Sequence, residues 1–448
     1  MTNEKPGILI DSDIQDIINT DNFYKDNRSY IVTLHTPYDD IEIKYLKLIE
    51  TLRNYSKYVG DYTLVTFTML GGEFIFDVYP YRDNLEMTIT EIYPGDDSVT
   101  SETRYKAVLV NNNANVYGSK YSSSDKENLN RTEMIRVEIQ CIDRIVEGLR
   151  LLQVEGIYEN ITLKDIMMSE LKEKISTLQL DGEEAKVNID IAEPSNTNMI
   201  EQMIIPSGIY ALDFPSFLQN TIYGVYNGDI GTYLQRIGSV PVLYVYPLCD
   251  ITRFEQVEEK MIVYFTNNVK YNAIDNTFKK DGDVIKVLAG TTLKSLDDAE
   301  NSFMSEGSGF VRVLPEQMIN RNALVTNDSM NLDSDSQLEG TKFKDRRDGA
   351  DRPIFIGNQP NMYKYRSMIN RNSMGTYQFQ WHYSDPDLIY PGMPIQYVYE
   401  DNDGVINQLE GIIQSVFTKY DKVLNTTSTL ITFFAKKPIV YNEEPYEE

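Results

Sequence analysis

At 448 residues the chain exceeds one ordinary hydrophobic core, so about two to four domains are expected. Hydrophobic residues make up 41% and charged residues 25%, a globular balance that excludes disorder throughout. Against 42 bases stand 68 acids, a net charge of −26; such a surface repels nucleic acid and anionic membranes and disfavours sequence-specific DNA or RNA binding.

After a polar leader, SYIVTLHT from Ser29 reads as a strand. In IKYLKLIETLRNYSKYVG, Tyr45, Leu48, Ile49 and Leu52 fall at helical spacing with Gly60 as a stop, which predicts a helix. YTLVTFTM alternates through Val65, Phe67 and Met69, Gly71 and Gly72 predict a turn, and EFIFDVYP alternates through Phe74, Phe76 and Val78. NLEMTITEIY and RYKAVLV continue the alternation. Closely spaced strands joined by short turns predict a barrel or sandwich. The polar run NNNANVYGSKYSSSDKENLNRT from Asn111 predicts a long loop, and MIRVEIQCIDRIVEGL resumes as strand, then helix.

The texture changes near Leu151. ITLKDIMMSELKEKISTLQL puts Ile166, Met167, Leu171, Ile175 and Leu178 on one helical face, with Thr162 and Asp165 as a capping-box-like start. Its methionines read as core filler rather than ligands. DFPSFLQNTIYGVY predicts a second helix, with Phe214, Phe217, Leu218, Ile222 and Val225 on its apolar face. VPVLYVYPL and KMIVYFT return to strands. From Lys270 to Thr326 the pattern is weak and mixed. NDSMNLDSDSQLEGTKFKDRRDGADRP then predicts a long exposed loop, of the kind that carries contacts or is disordered. Its basic knot, Lys342, Lys344, Arg346, Arg347 and Arg352, has two readings: a solvated loop balanced by its own aspartates, or a dock for an acidic neighbour such as another copy of the chain. No repeat with a period of about 20 to 50 residues is present, which excludes solenoids and propellers.

Two cysteines, Cys141 and Cys249, exclude a disulfide-stapled scaffold and leave too few ligands for a structural zinc site. The start, MTNEKPGILIDSD, lacks the basic-then-apolar layout of a secretion signal. The longest apolar stretch, SVPVLYVYPLC from Ser239, falls far short of the roughly 20 residues a membrane helix needs. A soluble protein made in a reducing cytosol is expected. Tyrosine is abundant, 32 residues against 17 Phe and one Trp; an apolar ring with a wet hydroxyl suits half-buried sheets first and protein interfaces second.

Signals of chemistry are sparse. His35 and His382 are the only histidines and stand far apart, which nearly empties the class of histidine catalysts and metal sites; His382 follows Trp381 in an alternating run, YQFQWHYSD, as a sheet residue. There is no Gly-x-Ser-x-Gly elbow, no phosphate loop ending in Gly-Lys-Ser/Thr and no His-Glu-x-x-His. GSGF at Gly307 lacks the strand and helix of a dinucleotide site. No catalytic, cofactor-binding or metal residue is assigned. Carboxylate pairs remain: a glycosidase needs two acids about 5 to 9.5 Å apart across a cleft, so a glycan hydrolase stays the alternative in so acidic a chain.

YPGMPIQYVYEDNDGVINQLEGIIQSVF, from Tyr390, could be a calcium loop or a hairpin. With Gly404 at loop position 6, Asp401, Asp403 and Glu410 take positions 3, 5 and 12, but Tyr399 at position 1 offers no carboxylate. LDSDSQL from Leu332 fails too, with Leu338 where glycine is required. A hairpin turn explains YEDNDGVI, since Asn and Asp tolerate turn dihedrals and Gly404 accepts positive φ. Ile395, Tyr397 and Tyr399 form one strand, Leu409, Gly411 and Ile413 the next, and TSTLITFFA a third after a turn at Asp421 to Asn425. Gly411 inside a strand marks a bend or a close backbone approach. Pro391 and Pro394 sit where a strand enters.

PGMPIQYVYEDNDGVINQLEGIIQSV resembles the C-terminal barrel of central baseplate-hub proteins of contractile-tailed bacteriophages. VEIQCIDRIVEGLRLLQVEGIYENITLKDIM resembles the point where such hubs pass from a barrel strand into a small inserted domain, and FPSFLQNTIYGVYNGDIGTYL from Phe214 is similar to the helix and Tyr-Gly-Val-Tyr stretch that follow. The resemblance implies an α+β, β-rich fold: two small β-barrel domains with an inserted mixed α/β middle region. Expected domains are an N-terminal β-barrel with one helix (1–148), a small inserted helical or mixed domain (149–205), a mixed helix-strand domain (206–300) and a C-terminal β-barrel (301–448) with the exposed loop at about 327–353. It further implies a homotrimer whose barrels alternate around a pseudo-sixfold ring, one face matching the tail tube and the other holding a threefold spike. Implied partners are the chain itself, a tail tube protein, a central spike protein and baseplate wedge proteins. DNA is a non-specific passenger, and neither membrane insertion nor a cofactor is implied. The implied location is the virion, after assembly in the host cytoplasm. Candidate subunit or partner contacts are Tyr223, Tyr226, Tyr233, Lys344, Arg346, Arg347 and Arg352. A negative lumen would let DNA pass without sticking. Another baseplate or neck protein is the remaining structural alternative.

Overall fold

The computed structural model describes residues 13–19, 29–92, 99–110, 133–221, 223–265, 277–296, 361, 363, 374–400, 406–422 and 426–436. The first third of the chain makes strands β1 (Ser29–His35), β2 (Asp40–Glu42), β3 (Tyr45–Asn54), β4 (Tyr62–Leu70), β5 (Leu85–Ile92), β6 (Val99–Leu109) and β7 (Met134–Asp143), paired in the order β3-β4-β7-β6-β5-β1-β2. Period-two alternation sends Val65, Phe67 and Met69 of β4 and Val137, Ile139 and Cys141 of β7 into one core with Val32, Leu34 and Met87. The path curls back on itself. Only Ile43 and Lys44 separate β2 from β3; the Ile43 N–H donates to the Val32 carbonyl of β1 at 2.8 Å, and from Tyr45 the same segment pairs with β4.

The middle of the chain holds β8 (Gln153–Ile161), β9 (Gln179–Leu180), β10 (Glu183–Glu184), β11 (Asn188–Ile191), β12 (Ile200–Tyr210), β13 (Ile230–Ile237) and β14 (Val240–Pro247). β8 and β12 form an antiparallel ribbon, β9 and β10 a short hairpin, and β14 pairs with β11 on one side and β13 on the other. The helix Leu163–Thr177 starts as expected: Thr162 Oγ1 accepts from the Asp165 N–H at 3.2 Å and donates to its carboxylate at 2.6 Å. One core runs from Ile145 to Val245 and takes in Leu163, Met167, Met203 and Leu243, so no core boundary falls at 205/206.

The last unit contains β15 (Lys260–Phe265), β16 (Phe278–Asp281), β17 (Val284–Leu288), β18 (Lys294–Ser295), β19 (Met374–His382), β20 (Pro394–Glu400), β21 (Ile406–Asp421) and β22 (Thr426–Lys436). β15 pairs with both β17 and β20, so residues assigned by sequence to a 206–300 domain belong to the C-terminal sheet. A bent segment recurs here: past β17, Ala289 N–H donates to Tyr264 of β15 at 2.9 Å, and Gly290 N–H to Gln380 of β19 at 2.8 Å, before β18 pairs with β19. Counting β2/β3 and β17/β18 as one bent strand each, and β16 as an added edge, both sheets share one neighbour sequence. In chain order it runs first, second, third, sixth, fifth, fourth, and then returns to the first. They differ in direction at one place: β15 runs parallel to its neighbours, whereas β1 is antiparallel to β2 and β5.

β21 joins the two sheets. Up to Ile412 it pairs with β20, and from Ser415 to Asp421 it pairs with Asn54–Leu48 of β3 while staying paired with β22. Register shifts lie between Ile413 and Ser415 on β21 and between Leu46 and Leu48 on β3. An extra residue bends a strand and raises its twist, and each shift falls where the strand changes neighbours. Gly411 sits just before the bend, and a Cβ there would lie 2.0 Å from the Phe434 carbonyl oxygen, the close approach the sequence predicts.

Three predicted elements differ. The helix expected over 45–60 is strand β3; its bulge spaces the buried Leu46, Ile49 and Arg53 at three and four residues, imitating helical periodicity, while Tyr45 is 60% exposed. The turn and strand expected over 71–80 are helical turns, Gly71–Glu73, Phe74–Val78 and Tyr79–Tyr81, which bury Phe74, Ile75 and Val78 over the end of the first core and leave Phe76 exposed. The helix from Phe214 ends at Asn220, because the Gln219 side chain binds the backbone that follows: it accepts from Val225 and Tyr226 N–H at 2.8 Å each and donates to the Tyr226 carbonyl at 2.9 Å. The turn residues 401–405, the loop from Asn111 and the basic knot lie outside the described residues. Among the described residues no helix is long and apolar enough to cross a membrane.

Candidate assembly site at the junction of three units

β3 delivers apolar side chains to the first core until Arg53, which is 8% exposed. A buried guanidinium demands acceptors, and two units supply them. Nε donates to Asp61 Oδ2 at 3.3 Å, Nη1 to the Pro386 carbonyl at 2.8 Å and Nη2 to Asp387 Oδ1 at 3.1 Å. The short helix Pro386–Leu388 that presents these two acceptors is capped by the Asp385 side chain. The middle unit enters through Tyr233 of β13, whose hydroxyl donates to Asp61 Oδ1 at 2.8 Å and whose ring meets Tyr55 edge-on at 4.9 Å.

The network continues outward. Tyr55 donates to Gln235 Oε1 at 3.1 Å, Gln235 Nε2 donates to the Ile389 carbonyl at 2.6 Å, and Tyr246 donates to the Tyr55 carbonyl at 2.8 Å. Arg236 Nε donates to Asp143 Oδ2 at 2.6 Å, and Asp143 Oδ1 caps the helix Arg144–Leu149 by accepting from Ile145 N–H at 2.8 Å. Burial works against the charge on Arg53, but Asp61 and Asp387 beside it hold its pKa well above the usual range. Burial pushes the Asp61 carboxyl up, opposed by Arg53 and the Tyr233 hydroxyl, and burial raises both tyrosines, keeping them donors. A cavity of about 110 Å³ borders the cluster at the mouth of the first curled sheet, walled by Tyr30, Thr51, Thr103, Tyr105 and Tyr420. This arrangement fixes three units against one another.

Of the candidate contacts, Tyr226 and Tyr233 are buried within the chain, 1% and 0% exposed. Tyr226 donates to the Ala192 carbonyl at 2.5 Å; buried tyrosines were drawn inward by hydroxyl partners that sequence does not show. Tyr223 is half-buried, and its carbonyl accepts from Asn196 Nδ2 at 2.8 Å. Lys344, Arg346, Arg347 and Arg352 lie outside the described residues. His35 and His382 stand on β1 and β19, on either side of the β21–β3 join. Sequence reasoning missed Arg53, Asp61, Gln235 and Asp387. An arginine at an inward position of an apolar strand was the one signal, and its partner Asp387 lies 334 residues away.

No known family model matches the chain, and no curated protein matches it. Solved structures do. The 43 kDa tail protein of prophage MuSo2 from Shewanella oneidensis is 10% identical, with a TM-score of 0.46 over 90% of this chain and 96% of that one. A tail protein from Neisseria meningitidis MC58 is 9% identical, with a TM-score of 0.44 over 91% and 96%. An Escherichia coli protein described as a component of the type VI secretion system, with structural similarity to the T4 bacteriophage tail proteins gp27 and gp5, is 12% identical, with a TM-score of 0.41 over 90% and 76%.

Proposed function

We propose that the chain is a structural subunit of a phage-type tail baseplate hub. Three copies form a ring that joins the tail tube to a central spike, contacts baseplate wedges and lets DNA pass. In this reading each curled sheet is a small barrel, and the protein is a virion part rather than an enzyme. The observation that carries it is the neighbour sequence shared by the two sheets of one chain. A threefold ring can meet a sixfold tube only if each subunit offers two similar modules, and closed symmetry is the ordinary state of such assemblies. The shared strand β21 and the buried Arg53 cluster support a fixed relation between those modules, as a load-transmitting ring requires.

Charge supports the same reading. At −26 the wall of a lumen would repel a passing polyanion and release no counterions to it. Tyr223 and the basic residues Lys344, Arg346, Arg347 and Arg352 remain the candidate contacts between subunits or with partners. Native mass spectrometry of the full chain tests the proposal: a species of three times 51.6 kDa is expected, and a monomer at every concentration contradicts it.

A further inference from the structure

The β8–β12 ribbon turns one face into the middle core and the other outward. Alternation sends Val154, Met203 and Ile205 inward, into the core shared with the helix Leu163–Thr177. The outward face of such a ribbon is ordinarily polar. Here Ile157 stands directly across from Ile204, 66% and 58% exposed. Met199 is exposed at one end of the ribbon, and Leu151 and Tyr210 at the other. Single exposed apolar side chains are common; a cross-strand pair with three more along the same ribbon marks a contact surface. Its charge has one sign. No Lys or Arg occurs between Arg150 and Lys164 or between Lys186 and Arg236. Glu155, Glu159 and Glu201 on the ribbon make no ion pair among the described residues. Two such ribbons face to face would set acid against acid, which disfavours like-to-like pairing.

The complementary face lies on the outside of β3, β4 and β7. Leu70 pairs there with Met134, and in the next row Thr68 lies between Tyr45 and Arg136. Tyr45, Leu70 and Met134 are all exposed. Lys44 precedes Tyr45, Lys47 sits at the bulge after Leu46, and the Lys422 N–H donates to the Lys47 carbonyl at 3.1 Å. These three lysines are exposed and make no ion pair among the described residues, in a chain of net charge −26. We infer that the ribbon of one copy seats on this lysine-flanked apolar face of the next copy. Two different faces of one chain in contact form a heterologous interface, which repeats and closes a ring. The contact rests on the ring proposed above and names the two faces that join it.

Two measurements on the full chain test the contact. Native mass spectrometry over a dilution series reads association. Reversal of the ribbon (Glu155→Lys, Glu159→Lys, Glu201→Lys) or of the lysine face (Lys44→Glu, Lys47→Glu, Lys422→Glu) should each weaken it by about tenfold or more. A chain carrying both reversals should recover to within about threefold of the parent, because only a direct contact lets one reversal repair the other. In the second measurement, chains carrying Ile204→Cys are mixed with chains carrying Met134→Cys and treated with a bis-maleimide. A cross-linked dimer is expected from the mixture and from neither chain alone; the native Cys141 and Cys249 are buried and do not compete. Trimers that form without this cross-link, or reversals that leave association unchanged or fail to repair one another, overturn the contact, leave the ring standing and assign the ribbon to a different protein. Cross-linking of Ile204→Cys chains to one another overturns it in favour of like-to-like pairing. A monomer at every concentration removes ring and contact together.

Discussion

Arg53 shares its nitrogens between Asp61 on one side and the Pro386–Asp387 turn on the other, so its removal strands two carboxylates at once. Breaking a buried pair by truncating one partner costs about 3–5 kcal/mol, and Arg53→Ala should lower the unfolding free energy by that amount in denaturant titrations. Arg53→Lys keeps the charge but loses the fork, and should recover only part of the loss. A value within about 0.5 kcal/mol of the parent, the range of ordinary surface changes, would remove Arg53 from its structural role. Gly411 makes the opposite test, since an added methyl would meet the Phe434 carbonyl at 2.0 Å. Overpacking costs about 1–3 kcal/mol or more, so Gly411→Ala should lower the thermal midpoint. Gly411 was legible because a glycine inside an alternating apolar run has few other reasons to be there; Arg53 was not, because no local pattern names an acceptor more than 300 residues on.

At the scale of elements, β21 decides the architecture. Thr418 lies between Thr51 of β3 and Thr429 of β22, so both its edges are in use and a proline there must remove a ladder bond. Thr418→Pro is expected to destabilise by about 1–3 kcal/mol through the acceptor left unmatched and to raise amide exchange in Leu48–Asn54 as well as in β21; exchange that rises only in β21 would show that the two sheets do not depend on each other. Apart from β2, β3 and β16 to β18, the strands of both sheets were readable from their period, and the helix Leu163–Thr177 from its cap. The misreadings share one cause: where an inserted residue bends β3, strand spacing becomes helical spacing, and where Phe74, Ile75 and Val78 close the end of a core, helical burial coexists with an alternating run. The β20-β21-β22 neighbours were readable from their turns, whereas the pairing of β21 with β3 was not, since it arises through tertiary packing.

At the scale of the whole molecule, the acidic balance of 68 acids against 42 bases was legible in the sequence. The pairing of the two sheets and the three-unit junction came only with the fold. In the proposed ring, three copies place six similar modules around one axis. Top-view electron micrographs of the purified full chain test it most directly. The rotational power spectrum of the averaged particle should peak at orders three and six around an open centre. A single compact particle without a centre, or a ring dominated by any other order, would contradict it.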